Sequence, residues 1–367
     1  MKKDFKVMTE NPLNAETRIE SLRSWTTRNN EFFSRNQSQV LTEPIPIETW
    51  KLSIDGEVEN ATAWSYEEIL RLPKVTVANA IECSGNGRAL LRKPARGNPW
   101  TTGGVGNAVW AGVWLGDLLR KVGLTGNSRH VAFAGLSDPS GRVKNSFIRS
   151  IPIDKALSST LLAYEMNGVE LPPEHGYPLR GLPLGWTGAN CVKWLVRITV
   201  TDRPQAGHFM DNVYRIYSEG QAPSDGVPVT SIPLKSFITS PLAGERVQLR
   251  SNEADRSDSV TIGGVAYGGE NDIAGVEISV DGGSSWDNAQ LVGPRERWAW
   301  KQWQYRWTPQ SAGQYTLMSR ATDTQGIRQP MQAAWNVLGY GNNGVEEHAI
   351  VVHVEGLTGT DRPIRLQ

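Results

Sequence analysis

Hydrophobic spacing divides the chain into two textures. In the first, helical and extended patterns alternate. Ile19, Leu22 and Trp25 fall on one side of a helix predicted over Asn14–Trp25, with Asn14 as its cap. Trp50 to Val58 suggests a strand and turn, and Ser65 with Glu68 ahead of Ile69 and Leu70 is a capping box opening a helix that Pro73 stops. Val75 to Ile81, β-branched and small apolar, predicts a strand ended by Gly85 and Gly87. Val113 to Val122 has helical spacing with Gly123 as C-cap, and His130 to Leu136 reads as a strand entering a turn at 137–141. Leu195 to Thr201 is strand-like, and a loop follows over 207–215.

From about Thr239 the texture becomes short alternating runs broken by turns: Val260–Ile262, Val276–Val280, Trp298–Trp307, Tyr315–Ala321 and Ile350–Val354. Such spacing predicts an antiparallel β-sandwich. Pro223 to Val229 is the linker, so the expected organisation is one domain over 1–230 and a second domain over 231–367. Trp286, Trp298, Trp300, Trp303, Trp307 and Trp335 belong to its core or to an interface, because large aromatics dominate burial at both. No catalytic constellation occurs there, and we read the region as an association module.

Composition narrows the partners. Lys plus Arg and Asp plus Glu both number 38, so the formal net charge is zero. That balance gives no reason to expect nucleic acid or an anionic membrane, and any anion site must be a local cluster. Two cysteines, Cys83 and Cys191, exclude a disulfide scaffold and a cysteine-rich metal centre. The first ten residues carry positive charge without an apolar h-region, and no stretch approaches the ~20 apolar residues that span a bilayer. The expected location is the cytoplasm, or the periplasm if an export signal has been removed.

Two stretches carry candidate chemistry. Cys83 stands at a strand-to-loop corner with Arg88 close behind and glycine-flanked backbone N–H groups around it, a setting that favours the metal-binding thiolate. It serves equally well as a small buried hydrophobe. Further on, glycines and prolines break regular structure around His175, Arg180 and Lys193, three cationic or potentially cationic donors suited to a phosphate or another planar anion. Taken alone, His175 is as easily a satisfied turn residue. Phe32-Phe33-Ser34-Arg35-Asn36-Gln37 reads as an anchored loop with solvated polar ends. Asn98 to Asn107 is glycine-rich, yet no G-K-[ST] follows, so it is not a nucleotide-phosphate loop.

In this order and spacing, Phe32–Asn36, Glu82–Arg88, Leu162–Gly168, His175–Arg180 and Gly188–Trp194 resemble the sulfite oxidase family of molybdenum enzymes over nearly the whole chain. The resemblance implies an α+β fold, a molybdopterin-binding domain followed by an immunoglobulin-like β-sandwich that makes a homodimer. It implies that Cys83 is the one protein thiolate on molybdenum, a soft donor suited to that metal. His175, Arg180 and Lys193 would bind the molybdenum cofactor, helped by Phe33, Arg35, Asn36, Gln37, Asp138, Cys191 and Val192. Arg35, Cys83, Arg88, Trp100 and Tyr214 would form the catalytic pocket, with the two arginines orienting sulfite. The implied reaction is oxygen-atom transfer that turns sulfite into sulfate, with electrons passed on to a separate acceptor or to oxygen.

Three departures bear on this. Gln37 stands where many relatives carry histidine, and Leu338 where many carry a substrate arginine. Neither a fused b-type haem segment nor a C-x-x-C-H motif occurs, so no haem is expected. The competing expectations are reductive oxygen-atom transfer from nitrate or an S-oxide, and a cofactor-free binding or assembly protein.

Overall fold

A computed structural model describes residues 5–37, 45–136, 147–248 and 259–355. It is rich in sheet, with three short α-helices: Tyr66–Leu70, Leu115–Val122 and Ile153–Ser159. The Ser65–Glu68 capping box forms in both directions, as its spacing predicts.

Two five-stranded sheets build the first part. In one, Val75–Glu82, Val105–Trp114 and Thr160–Met166 lie side by side, and both Val169–Glu170 and Arg180–Pro183 pair with Thr160–Met166. In the other, the order is Thr62–Ser65, Lys51–Gly56, Leu195–Thr201, His130–Gly135, Ile148–Pro152, with one parallel pair between Lys51–Gly56 and Leu195–Thr201. Leu52, Ile54, Phe133, Leu195 and Ile198 fill one core with the inner face of Leu115–Val122. Phe32, Ile81, Trp110, Leu161 and Leu182 fill the other, beneath the sheet that ends at Cys83.

The second part is an eight-strand path: Lys235–Ser240, Val260–Tyr267, Lys301–Trp307, Asp287–Val292, Ile273–Ser279, Gly313–Asp323, Ile350–Glu355 and Arg246–Gln248. Trp303 and Trp307 are buried among its aliphatic residues, and Trp300 joins a cluster with Leu22, Val105, Phe237 and Tyr267 that ties the two parts together. Trp298 meets the sheet of Val75–Glu82 directly, its carbonyl accepting from the Ala80 N–H at 2.9 Å.

Three local expectations fail. Asn14–Trp25 is not one helix: Asn14–Thr17 pairs with Phe5–Thr9, and only Ile19–Arg23 turns, as a 3-10 helix. Edge pairing and the Ala15–Ser34 bridge outcompete a helix with little propensity of its own. The helix after Val113 begins at Leu115, because Val105–Trp114 is a central strand whose glycines hide its alternation. The loop over 207–215 contains a π-helical turn at Phe209–Val213. The turn over 137–141, with Asp138, lies outside the described residues.

A buried ion pair crosses between the two parts. Lys235 Nζ lies 2.5 Å from Glu82 Oε1, and that same oxygen accepts from Tyr267 Oη at 2.9 Å and Asn86 Nδ2 at 2.9 Å. Both charges are sealed from water, so removing one strands the other. Lys235→Met is expected to cost about 3–5 kcal/mol of stability, read from denaturant unfolding.

Candidate functional site

Cys83 lies at the rim of a cleft enclosing about 980 Å³ of atom-free space, counting the solvent at its mouth. The strand Val75–Glu82 is buried from Ala78 onward and stops where the Cys83 N–H donates to the Gly104 carbonyl at 2.7 Å. The chain then turns tightly. Asn86 N–H returns to Cys83 O at 2.8 Å, and Gly87 sits at φ +84°, where a Cβ would also press within 3.0 Å of Asn342.

Four other segments converge on this corner. Phe33 to Gln37 is hung from Asn14, whose Oδ1 accepts from Asn36 N–H at 2.9 Å and from Arg35 Nη1 at 3.1 Å. The segment 174–180 brings Glu174, His175 and Arg180; the loop 188–194 brings Cys191, Lys193 and Trp194; and the π-helical turn presents Phe209 and then Tyr214. The cleft therefore unites Phe33, Arg35, Asn36, Gln37, Cys83, His175, Arg180, Cys191, Lys193 and Tyr214 from the sequence-derived set.

The wall carries far more positive than negative charge. Arg35, Arg180 and Lys193 line it, and Glu174 is its one carboxylate among the described residues. Lys193 Nζ donates to Asn36 Oδ1 and, at 3.0 Å, to the Glu174 carbonyl. Burial, reinforced by the Arg180 and Arg35 charges, pulls its pKa well below the usual lysine value. Arg180 Nη1 donates to His175 O at 3.1 Å, the guanidinium lies 5.4 Å from the Trp110 ring, and Nε is buried without a hydrogen-bond partner among the described residues. His175 Nε2 is 2.9 Å from the Asn29 carbonyl and donates to it. Burial lowers its pKa to about 4, so the ring is neutral at neutral pH and Nδ1 remains an acceptor. Tyr214 Oη accepts from Gln37 Nε2 at 2.6 Å.

Several expectations need correction. The Cys83 thiol is not held as a thiolate by its surroundings: burial raises its pKa more than Arg35, the Gly85 N–H and Arg88 lower it. Metal coordination would have to drive the deprotonation. Trp100 is fully buried and meets Phe33 edge-on at 6.2 Å, so it braces the wall instead of lining it. Arg88 backs the Cys83 loop from behind, donating through Nε to Leu338 O at 2.7 Å and through Nη1 to Asn98 O at 2.6 Å. The Val192 side chain is a core residue of the neighbouring cluster, which leaves its backbone as the part that could face the cofactor. Residues that motif reading missed are Asn14, Glu174, Arg149 and Tyr340; only Glu174, inside the His175 stretch, left a signal in the sequence.

Among the described residues no group of three or more His, Cys, Asp or Glu side chains could hold a metal ion. A metal at Cys83 must therefore arrive with most of its ligands. Among those residues no helix is long and apolar enough to cross a membrane.

Comparison with known proteins bears on the same residues. Residues 40–209 match the oxidoreductase molybdopterin binding domain, and residues 227–355 match the Mo-co oxidoreductase dimerisation domain. The chain is 31% identical to the sulfite oxidase of Arabidopsis thaliana over 371 residues, covering 91% of each protein. It is 35% identical to the mitochondrial sulfite oxidase of Macaca fascicularis over 363 residues, 92% of this chain and 64% of that protein. The chain thus spans about two thirds of the mitochondrial relatives it matches. The solved sulfane dehydrogenase SoxCD from Paracoccus pantotrophus superposes with a TM-score of 0.79 at 26% identity, over 97% of this chain and 90% of that one.

Proposed function

We propose, from the premise that this chain belongs to the sulfite oxidase family of molybdenum-cofactor oxidoreductases, that it oxidises sulfite to sulfate at a pterin-held molybdenum whose one protein ligand is Cys83. The observation that carries the reading is the meeting of a cysteine sulfur and a nearly carboxylate-free ring of cations in one cleft. The residues fit the cofactor: the orphaned Arg180 Nε, the open acceptor Nδ1 of neutral His175 and Lys193, whose charged form burial and the neighbouring cations disfavour, are groups that an anionic, hydrogen-bonding partner would satisfy. When bound, the cofactor supplies the two-electron redox change and the transfer of an oxygen atom.

The chain's own groups then have distinct tasks. Arg180, Lys193 and His175 hold the pterin and its phosphate, aided by Asn36 and the backbone at 191–193. Arg35 attracts and orients the oxyanion, while Arg88 holds the Cys83 loop from behind. Because Tyr214 Oη accepts from Gln37, its own proton is free to point into the cleft, where it can hydrogen-bond the reacting centre. The division into 1–230 and 231–367, an immunoglobulin-like form for the second part, and a homodimer built through it complete the proposal, supported by the dimerisation-domain match. Electrons leave to a separate acceptor or to oxygen.

A second reading, oxidation of another reduced sulfur compound, is favoured by Leu338. Its side chain packs against the cluster of Ala189, Tyr214 and Tyr340 beside the cleft, where a guanidinium would otherwise add charge. Steady-state assays decide. Purified protein is expected to contain about one molybdenum per chain and to reduce an acceptor with sulfite but not with thiosulfate, and to leave nitrate and methionine sulfoxide unreduced. Inactivity with sulfite alongside activity on one of the others overturns the choice.

A further inference from the structure

We propose that Arg149 is a positioning residue of the anion pocket, a fixed positive charge with no counter-ion among the described residues, that acts on the bound oxyanion across the Tyr214 wall. This rests on reading the cleft as a sulfur-oxyanion site. Arg149 projects from the strand Ile148–Pro152, is 1% exposed and belongs to no motif of the chain. Its Nε and Nη2 both donate to Asn190 Oδ1, at 3.2 and 2.9 Å, and its Nη1 donates to the Phe209 carbonyl. Asn190 is held in turn, its Nδ2 donating to Val229 O at 3.1 Å and Thr187 Oγ1 at 3.3 Å. One guanidinium thereby joins the loop that carries Cys191 and Lys193 to the turn that delivers Tyr214.

The carbon of that guanidinium lies over the Tyr214 ring, 5.0 Å from its centroid. Tyr214 stacks on Tyr340 at 5.9 Å, and Arg88 lies 5.4 Å from the Tyr340 ring, so a guanidinium stands against each member of the aromatic pair. The titratable neighbours of Arg149 are Tyr214, Tyr340 and Arg215; no carboxylate among the described residues pairs with it. Burial lowers its pKa only to about 10, leaving it charged at neutral pH.

A residue needed only to clamp two loops would be held more firmly by a carboxylate, through charge-assisted hydrogen bonds, than by an amide oxygen. Asparagine at 190 leaves the charge uncancelled, and the cleft beyond Tyr214 is where an anion can cancel it. The arrangement raises affinity for oxyanions without spending a donor on contact with them.

Sulfate is the probe, titrated into holoenzyme by calorimetry and compared with the KM for sulfite. Asn190→Asp, which keeps the guanidinium but gives it a counter-ion, and Arg149→Met are each expected to weaken sulfate binding about tenfold. The KM for sulfite should rise in parallel, with kcat changed by less than about threefold, while Arg149→Lys stays within about threefold of the parent. Unchanged sulfate affinity in Asn190→Asp, or Arg149→Lys as defective as Arg149→Met, overturns the assignment in favour of a hydrogen-bonding clamp. Should Asn190→Asp fail to fold, the two Arg149 variants decide by the same criterion. A parent enzyme that binds no sulfate at millimolar concentration also removes the proposal. A parent that binds sulfate but leaves sulfite unoxidised sinks the sulfite reading and leaves Arg149 in its assigned role.

Discussion

Cys83→Ser should abolish sulfite-dependent acceptor reduction while leaving the fold intact. The expected loss exceeds the 10–100-fold typical of groups that merely support a metal ligand, because the change removes the ligand itself. Sulfur and hydroxyl are close in size, and the Cys83 side chain is only half-buried at the cleft rim, so packing changes little. What changes is donor softness: a hydroxyl is a poor substitute for a thiolate toward a soft-ligated metal and is far harder to deprotonate in a site that already disfavours the thiolate. Two readouts separate this from misfolding. The thermal midpoint should stay within a few degrees of the parent, and the visible absorption that bleaches on sulfite addition should vanish. Parental turnover by Cys83→Ser would exclude the mechanism outright.

Cys83 was legible because two independent signals met there, a β-branched run and a glycine-rich stop, and the structure keeps both. The His175, Arg180 and Lys193 grouping was legible for a related reason: glycines and prolines hold polar side chains in a confined irregular stretch, and all three line the cleft. The strand Val105–Trp114 was not, since a central strand packed against neighbours through Gly106 and Gly112 replaces alternation with close backbone approach. Asp287–Val292 and Lys235–Ser240 were missed because one carries few apolar residues and the other hides a buried lysine. Lys235 shows the limit most sharply. Its partner Glu82 is 153 residues away, and no local rule foretells that a lysine in a strand will be sealed against a carboxylate beside Cys83.

The same reasoning explains why Arg149 gave no signal while Arg180 did. Both are buried guanidiniums, Arg180 lining the cleft and Arg149 behind its Tyr214 wall, but only Arg180 stands among residues whose local pattern suggests a site. Charge placement is a property of the assembled walls, and a formally neutral chain concentrates it by spacing carboxylates elsewhere.

Arg180→Met is expected to produce opposite changes in the loaded and empty protein. Arg180 is sealed among Trp110, His175 and Cys191, its Nε lacks a partner among the described residues, and burial lowers its pKa below the usual arginine value. In the empty chain that charge opposes Lys193, whose pKa it helps to depress, with Glu174 the sole carboxylate lining the cleft among the described residues. Replacing it with an unbranched apolar side chain removes an uncompensated buried charge, so the cofactor-free variant should match or exceed the cofactor-free parent in stability, by about 1–4 kcal/mol. The loaded state should move the other way. A buried guanidinium that meets an anionic partner forms charge-assisted hydrogen bonds, and losing it leaves the partner unpaired. Bound pterin and molybdenum are expected to fall below about a tenth of the parental content, which needs only ~1.4 kcal/mol at limiting cofactor, and sulfite turnover should fall with them. Denaturant unfolding of protein from molybdate-starved and molybdate-replete cultures measures both signs. A variant that loses stability equally in both states would make Arg180 a packing residue and remove it from the cofactor cradle.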